Sequence, residues 1–108
     1  MADTCTIILP LDRRKTRRLV MLLELFKDNA RMPYKEIERV MPKTTFHQLL
    51  YTLSLVERYV HGKYGFRLFE FKWVRREDGK RVKVMEPAAK IEFADVEGTS
   101  FVTFTKNF

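Results

Sequence analysis

Two apolar runs at helical spacing meet at Pro42-Lys43, and this junction limits the possible folds more than any other feature. Before it, Ile37, Val40 and Met41 share one face of a helix that opens at Pro33, a residue tolerated in a first helical turn. Lys35, Glu38 and Arg39 fall on its water side. After it, Phe46, Leu49, Leu50, Leu53, Val56 and Val60 mark the buried face of a second helix, with Thr44 as the expected cap and Gly62 and Gly65 as the stop. Proline cannot continue the first helix and disfavours helical backbone in the residue before it, so the two helices must join at a tight turn.

The far side of the second helix is unusual. Thr44, His47, Gln48 and Tyr51 lie opposite the Phe46 and Leu53 face, with Arg58 further along. A solvated helix face in this chain would carry Lys, Glu and Arg, as the preceding helix does. A row of neutral hydrogen-bonding side chains, to which Thr45 adds a hydroxyl, suits a surface that reads another polar surface. The competing reading is that His47 and Tyr51 are half-buried and pack on a neighbouring strand.

The stretch FRLFEFKWVRREDGKRVKVM follows. Two strand-like runs flank Asp78-Gly79, a dipeptide that favours a two-residue type I′ hairpin turn. That turn predicts Trp73 opposite Val84 and Arg75 opposite Val82, with Phe71 and Trp73 on one face with the valines. Arg75, Arg76, Lys80, Arg81 and Lys83 make the arm basic on both sides of the turn.

Ahead of this unit, TCTIIL from Thr4 to Leu9 is a short strand candidate closed by Pro10. Asp12 is a candidate cap for a helix running to about Asp28, with Leu19, Leu22, Leu23 and Phe26 on one face. Met21 and Leu25 fall on a second face, so this helix is either central or shared with a partner. Behind the unit, PAAKIEFAD reads equally as a short helix led by Pro87 or a strand from Lys90 to Ala94. TSFVTFT, after Gly98, is a strand that can pair with that piece or with the N-terminal strand.

Charge separates these parts. The 108 residues hold 21 Lys and Arg against 14 Asp and Glu, a net +7. Up to Met85 there are 19 basic and 10 acidic residues; from Glu86 onward there are 2 and 4. A basic excess concentrated in one part of a domain is the electrostatic footprint of a nucleic-acid partner, although solubility alone can also select it. The densest cluster is RRKTRR, Arg13 to Arg18, at the start of the first helix, where cations oppose the helix dipole. A phosphate partner would relieve that conflict. Arg13, Arg14, Arg17 and Arg18 are the candidate contacts, while Lys15 leans to the apolar side and is expected to snorkel.

In order, these elements are strand, helix, helix, tight turn, helix and basic hairpin. The residues resemble the winged helix-turn-helix regulators, and most nearly the multiple-antibiotic-resistance regulator (MarR) family. Thr45-Phe46-His47-Gln48-Leu49-Leu50-Tyr51-Thr52-Leu53 is similar in spacing to that family's recognition helix, Thr-Val-Ser-Arg-His-Leu-x-x-Leu. Glu36-Ile37 stands where the preceding helix usually has an acidic-apolar pair, RREDGKRVKV is similar to the wing, and MEPAAK loosely resembles the segment after it. The likeness covers about residues 33–90. Glu57-Arg58 replaces the glycine that usually ends the recognition helix, and the family's long C-terminal dimerisation helix has no counterpart.

The resemblance implies an α+β winged helix-turn-helix: a single domain over 1–108, with the helix-turn-helix at 33–60, the wing at 66–86, and a C-terminal extension at 87–108. It implies sequence-specific binding of double-stranded DNA by a transcriptional regulator, as a homodimer. Thr44, Thr45, His47, Gln48 and Tyr51 would read bases in the major groove, where Gln pairs with adenine and Thr contacts a thymine methyl. Arg75, Arg76, Lys80, Arg81 and Lys83 would hold the backbone or enter the minor groove. The alternative is a protein-interaction module that docks another protein through Phe69, Phe71 and Trp73 or through Phe101 and Phe104 of the C-terminal extension.

Other classes find less support. One cysteine, Cys5, permits no intramolecular disulfide, so the expected compartment is the cytoplasm. The longest apolar run, Leu19 to Leu23, is far shorter than a membrane span. His47 and His61 are the only histidines, and neither a metal-ligand spacing nor a phosphate-cradling glycine loop is present. Neither an enzyme nor a cofactor is expected. RNA is a weaker partner, since no stacking motif is evident.

Overall fold

The computed structural model describes residues 3–28 and 30–107; Met1, Ala2, Asn29 and Phe108 lie outside the described residues. It is an α+β domain of three helices and two small antiparallel sheets. The elements run β1 (Thr4–Pro10), α1 (Arg14–Glu24), β2 (Met32–Pro33), α2 (Tyr34–Val40), α3 (Lys43–Tyr64), β3 (Phe69–Arg75), β4 (Arg81–Pro87), β5 (Ala89–Val96) and β6 (Thr99–Lys106). One sheet has the order β2-β4-β3 and the other β1-β6-β5.

The helices form where the apolar spacing places them, but their ends differ from expectation. α1 starts after Arg13, not at an Asp12 cap, and its first turn makes no side-chain capping bond. It stops at Glu24, and Leu25, Phe26 and Lys27 continue as tighter turns bonded to the carbonyls of Leu22, Leu23 and Glu24. Leu19, Leu22, Leu23 and Phe26 are buried as their spacing predicts, while Met21 remains exposed. In α2 only Ile37 is buried. Val40 points outward, because Met41 already leaves helical backbone at the turn and takes the inward position instead.

Pro42, not Thr44, precedes the first residue of α3, and its carbonyl accepts the first helical bond, from the Phe46 amide 2.9 Å away. α3 passes through Gly62, the first of the two expected stops, and ends at Tyr64. Gly65 terminates it in the left-handed conformation, φ 79°, with its amide bonded to the His61 carbonyl. At 22 residues this helix is about 33 Å long. It buries Phe46, Leu49, Leu53 and Val60, and Phe46 is locked edge-on against Tyr34 at 5.1 Å.

The β3–β4 hairpin departs from its expected register. Trp73 pairs with Lys83, Val74 with Val82 and Arg75 with Arg81, one residue away from the pairing that a two-residue turn would give. The loop holds three residues, Glu77, Asp78 and Gly79, between Arg76 and Lys80. The Arg76 carbonyl accepts from the Gly79 amide at 3.0 Å, the Asp78 carboxylate accepts from the Lys80 amide, and only Gly79 has positive φ. A type I′ turn needs positive φ at both central residues, so this loop is a type I turn closed by a glycine bulge. The type I′ pattern occurs instead between β5 and β6, where Glu97 (φ 47°) and Gly98 (φ 78°) join Val96 to Thr99.

The C-terminal ambiguity resolves as strand. Within PAAKIEFAD, Pro87 ends β4 and Ala89 begins β5, which pairs with one edge of β6 while β1 takes the other. Cys5, Ile91, Val102 and Phe104 face inward from this sheet into the same core as Leu22, Phe26, Phe69 and Met85 of the helices and the other sheet. The Phe26 and Phe69 rings meet edge-on at 5.1 Å. No helix is long and apolar enough to cross a membrane among the described residues.

Candidate nucleic-acid interface

The residues of α3 that face away from the core open onto a broad concavity of about 630 Å³ lined by Lys15, Lys43, Thr44, His47, Gln48 and Tyr51. Core packing fixes this arrangement. Burying Phe46, Leu49 and Leu53 leaves positions 44, 47, 48 and 51 no direction except outward. Tyr51 is 68% exposed and is held by no partner ring. His47 lies beside Phe46, with ring centroids 6.0 Å apart, and stays exposed. The half-buried alternative for His47 and Tyr51 therefore fails.

Two expectations need correction. Thr45 is buried at 9% exposure, since it lies one residue ahead of Phe46 on the core side, so it cannot read a partner. Lys15 does not snorkel onto the core. It is exposed at the mouth of the concavity, across from Lys43, so the first helix and α3 supply one cation each to its rim.

The remaining cations of RRKTRR are less uniform than their sequence suggests. Arg17 donates from its guanidinium to the Leu11 carbonyl at 2.9 Å and helps hold the β1–α1 junction. Arg13 and Arg14 are exposed and Arg18 is half-buried. Only Lys15 from this cluster lines the concavity.

In the hairpin, Arg75, Arg76, Lys80 and Arg81 are exposed around the tip. Arg76 approaches Asp78 at 3.9 Å, and Arg81 lies over the Trp73 ring at 5.9 Å. Lys83 is half-buried and sits over Tyr34 at 5.1 Å, in a groove between hairpin and α3 that also holds Leu50, Leu53, Glu57 and Phe71. It is thus drawn inward from the tip. Burial raises the Tyr34 hydroxyl pKa above its ordinary 10.0, because the phenolate would lose solvation there.

Sequence reasoning missed a second basic row. Arg31, Lys35 and Arg39 recur every four residues and line, with Arg76, Val74 and Val82, a groove of about 420 Å³ on the other side of the hairpin. The four-residue recurrence was the available signal. Glu36 takes Arg39 at 3.0 Å, and Glu86 takes Arg31 at 3.2 Å, so these cations are partly compensated. Also missed were Leu55 and Tyr59, 46% and 52% exposed, which extend the Tyr51 face along α3. Beyond them Lys63 donates to the Tyr59 hydroxyl at 3.2 Å, and this bond raises the ammonium pKa.

Among the aromatic residues considered for protein docking, Phe69 and Phe104 are fully buried and unavailable. Phe71 and Trp73 are exposed, and Phe101 is half-buried. No group of three or more His, Cys, Asp or Glu placed to hold a metal occurs among the described residues. No family model, curated protein or solved structure matches the chain.

Proposed function

We propose that this domain is a winged helix-turn-helix that binds double-stranded DNA sequence-specifically, in the manner of a MarR-like transcriptional regulator. The observation that carries the reading is the exposed neutral row Thr44, His47, Gln48 and Tyr51, framed by Lys15 of α1 and by Lys43 at the start of α3. Neutral donors and acceptors suit base edges, and flanking cations suit the phosphates on either side of a groove. The element order supports the same reading: a short strand between α1 and α2 pairs with β4, so helix pair and hairpin are tied into one unit. Arg75, Arg76, Lys80 and Arg81 then lie on an arm beside the helix, suited to backbone or minor-groove contact.

A cytoplasmic homodimer is part of this proposal. The outward face of β1-β6-β5 favours it: Ile8 and Val96 are 62% and 55% exposed there, and Lys90 and Glu92 neutralise each other at 3.0 Å. The same face also fits a different protein partner, which keeps the interaction-module reading alive.

Titration of a mixed-sequence duplex at rising salt tests the proposal. Affinity should fall with a log-log slope of several units, about one for each phosphate contact. The double variant His47→Ala/Gln48→Ala should lose preference among sequences, by about 1–3 kcal/mol for each bidentate pair removed. Absence of any duplex binding at low salt would refute the reading.

A further inference from the structure

The three-residue loop of the β3–β4 hairpin has a consequence for its surface. With Trp73 opposite Lys83 and Arg75 opposite Arg81, the alternation of the strands puts Phe71, Trp73, Arg75, Arg81, Lys83 and Met85 on one face. None of these is acidic. The carboxylates of the two strands, Glu70 and Glu86, lie on the opposite face and are taken up by Lys72 at 3.2 Å and 3.6 Å. Trp73 is 60% exposed, and Arg81 covers part of one ring face. Phe71, two residues back, is 44% exposed and packs edge-on toward Tyr34 at 6.4 Å.

An indole left 60% exposed beside a guanidinium exposes apolar surface at a cost. It is also the combination that binds unpaired nucleotides, with the ring taking the base and the cations taking the flanking phosphates. A perfect duplex has no use for it, because its bases are stacked on each other. We propose that this face of the hairpin is a stacking platform for an unpaired nucleobase on Trp73, with the exposed Arg75 and Arg81 on the adjoining phosphates. The domain would then prefer duplex DNA interrupted by a short single-stranded segment. This rests on the nucleic-acid reading above and adds to it a second contact surface with a different substrate preference.

Trp73 is the single tryptophan of the chain, so its emission reports this face alone. The probes are a perfect duplex, the same duplex carrying a short oligothymidine bulge, oligothymidine itself, and an oligoglutamate of matching charge. The bulged duplex should bind about 5- to 100-fold more tightly than the perfect one and quench Trp73 emission. Trp73→Ala should abolish that preference while leaving perfect-duplex affinity within about twofold, and Trp73→Phe should keep part of it. Circular dichroism of both variants checks that the exposed substitution leaves the fold intact. Equal affinity for the two duplexes with unchanged emission overturns the stacking platform and leaves base reading by α3 standing. Quenching by oligoglutamate as strong as by oligothymidine overturns it as well, in favour of an acidic-peptide site. If no nucleic acid binds at low salt, the underlying reading fails and the platform with it.

Discussion

On the β2-β4-β3 sheet, solvent meets Trp73, Arg75, Arg76 and Arg81; on β1-β6-β5 it meets Thr4, Thr6, Ile8, Ala94 and Val96. Both sheets have three short antiparallel strands and one face in the same core. What differs is the treatment of the open face. In the second sheet β-branched side chains face each other across the ladder, and the Thr6 and Thr103 hydroxyls bond at 2.9 Å. Such pairs stabilise a sheet through its own neighbours. In the first sheet, cations and exposed aromatics gain little from their neighbours, since exposed ion pairs contribute only about 0–1 kcal/mol each. The contrast teaches that the open face of one sheet is stabilised largely by its own cross-strand neighbours, whereas the open face of the other keeps its cations and aromatic rings in solvent.

Four variants probe this contrast, from the largest effect to the smallest. Phe104→Ala empties a fully buried position of β6 and should cost about 3–5 kcal/mol in urea unfolding. A loss below about 1 kcal/mol would mean that this sheet is not part of the common core. The next effect is on binding: Arg76→Ala/Arg81→Ala should weaken every duplex alike and lower the salt slope by about two. Lys90→Ala/Lys106→Ala, on the other sheet, should leave that slope unchanged, and equal effects from the two pairs would erase the contrast.

The smallest effect is one of pH. Burial holds the Tyr34 phenol protonated above its ordinary value, so the folded state binds this proton more tightly than the unfolded chain does. The contribution is fully present below pH 10.0 and is lost as pH rises through the raised folded value. Lys72, raised chiefly by its hydrogen bond to Glu70, acts with the same sign. Thermal unfolding should therefore soften at alkaline pH, and Tyr34→Phe, which keeps the ring contacts with Phe46 and Phe71, should make that loss shallower. An unchanged alkaline profile would show that the hydroxyl is already hydrated in the fold.

The helical cores and the outward row on α3 were legible in the sequence because periodicity reports burial directly: Phe46 and Leu53 in, His47 and Tyr51 out. Helix ends were less so. Asp12 and Thr44 are good capping residues by type, yet the backbone enters each helix one or two residues away, at Arg13 and at Pro42, where proline's fixed φ sets the start. The hairpin register turned on whether Asp78 would adopt positive φ or bond through its carboxylate to the next amide but one, and composition contains no term for that choice. Lys15 could not be placed from its own helix, because only the packing of α1 on α3 brings it to Lys43. The sequence offered β6 either β5 or β1 as a partner; that it takes both, one on each edge, depends on segments far apart in the chain.

That last point has a kinetic side. Thr4 pairs with Thr105 and Cys5 with Phe104, so the sheet β1-β6-β5 closes a loop spanning nearly the whole chain. Helices and hairpins form in microseconds from local contacts, whereas a pairing of this separation must first overcome the entropy of a very long loop. On a ribosome, β1 emerges well before β6 and waits with an unpaired edge until β6 has been made. Completion of the core therefore waits for β6, and the uncharged edge of β1 stays adhesive throughout that interval.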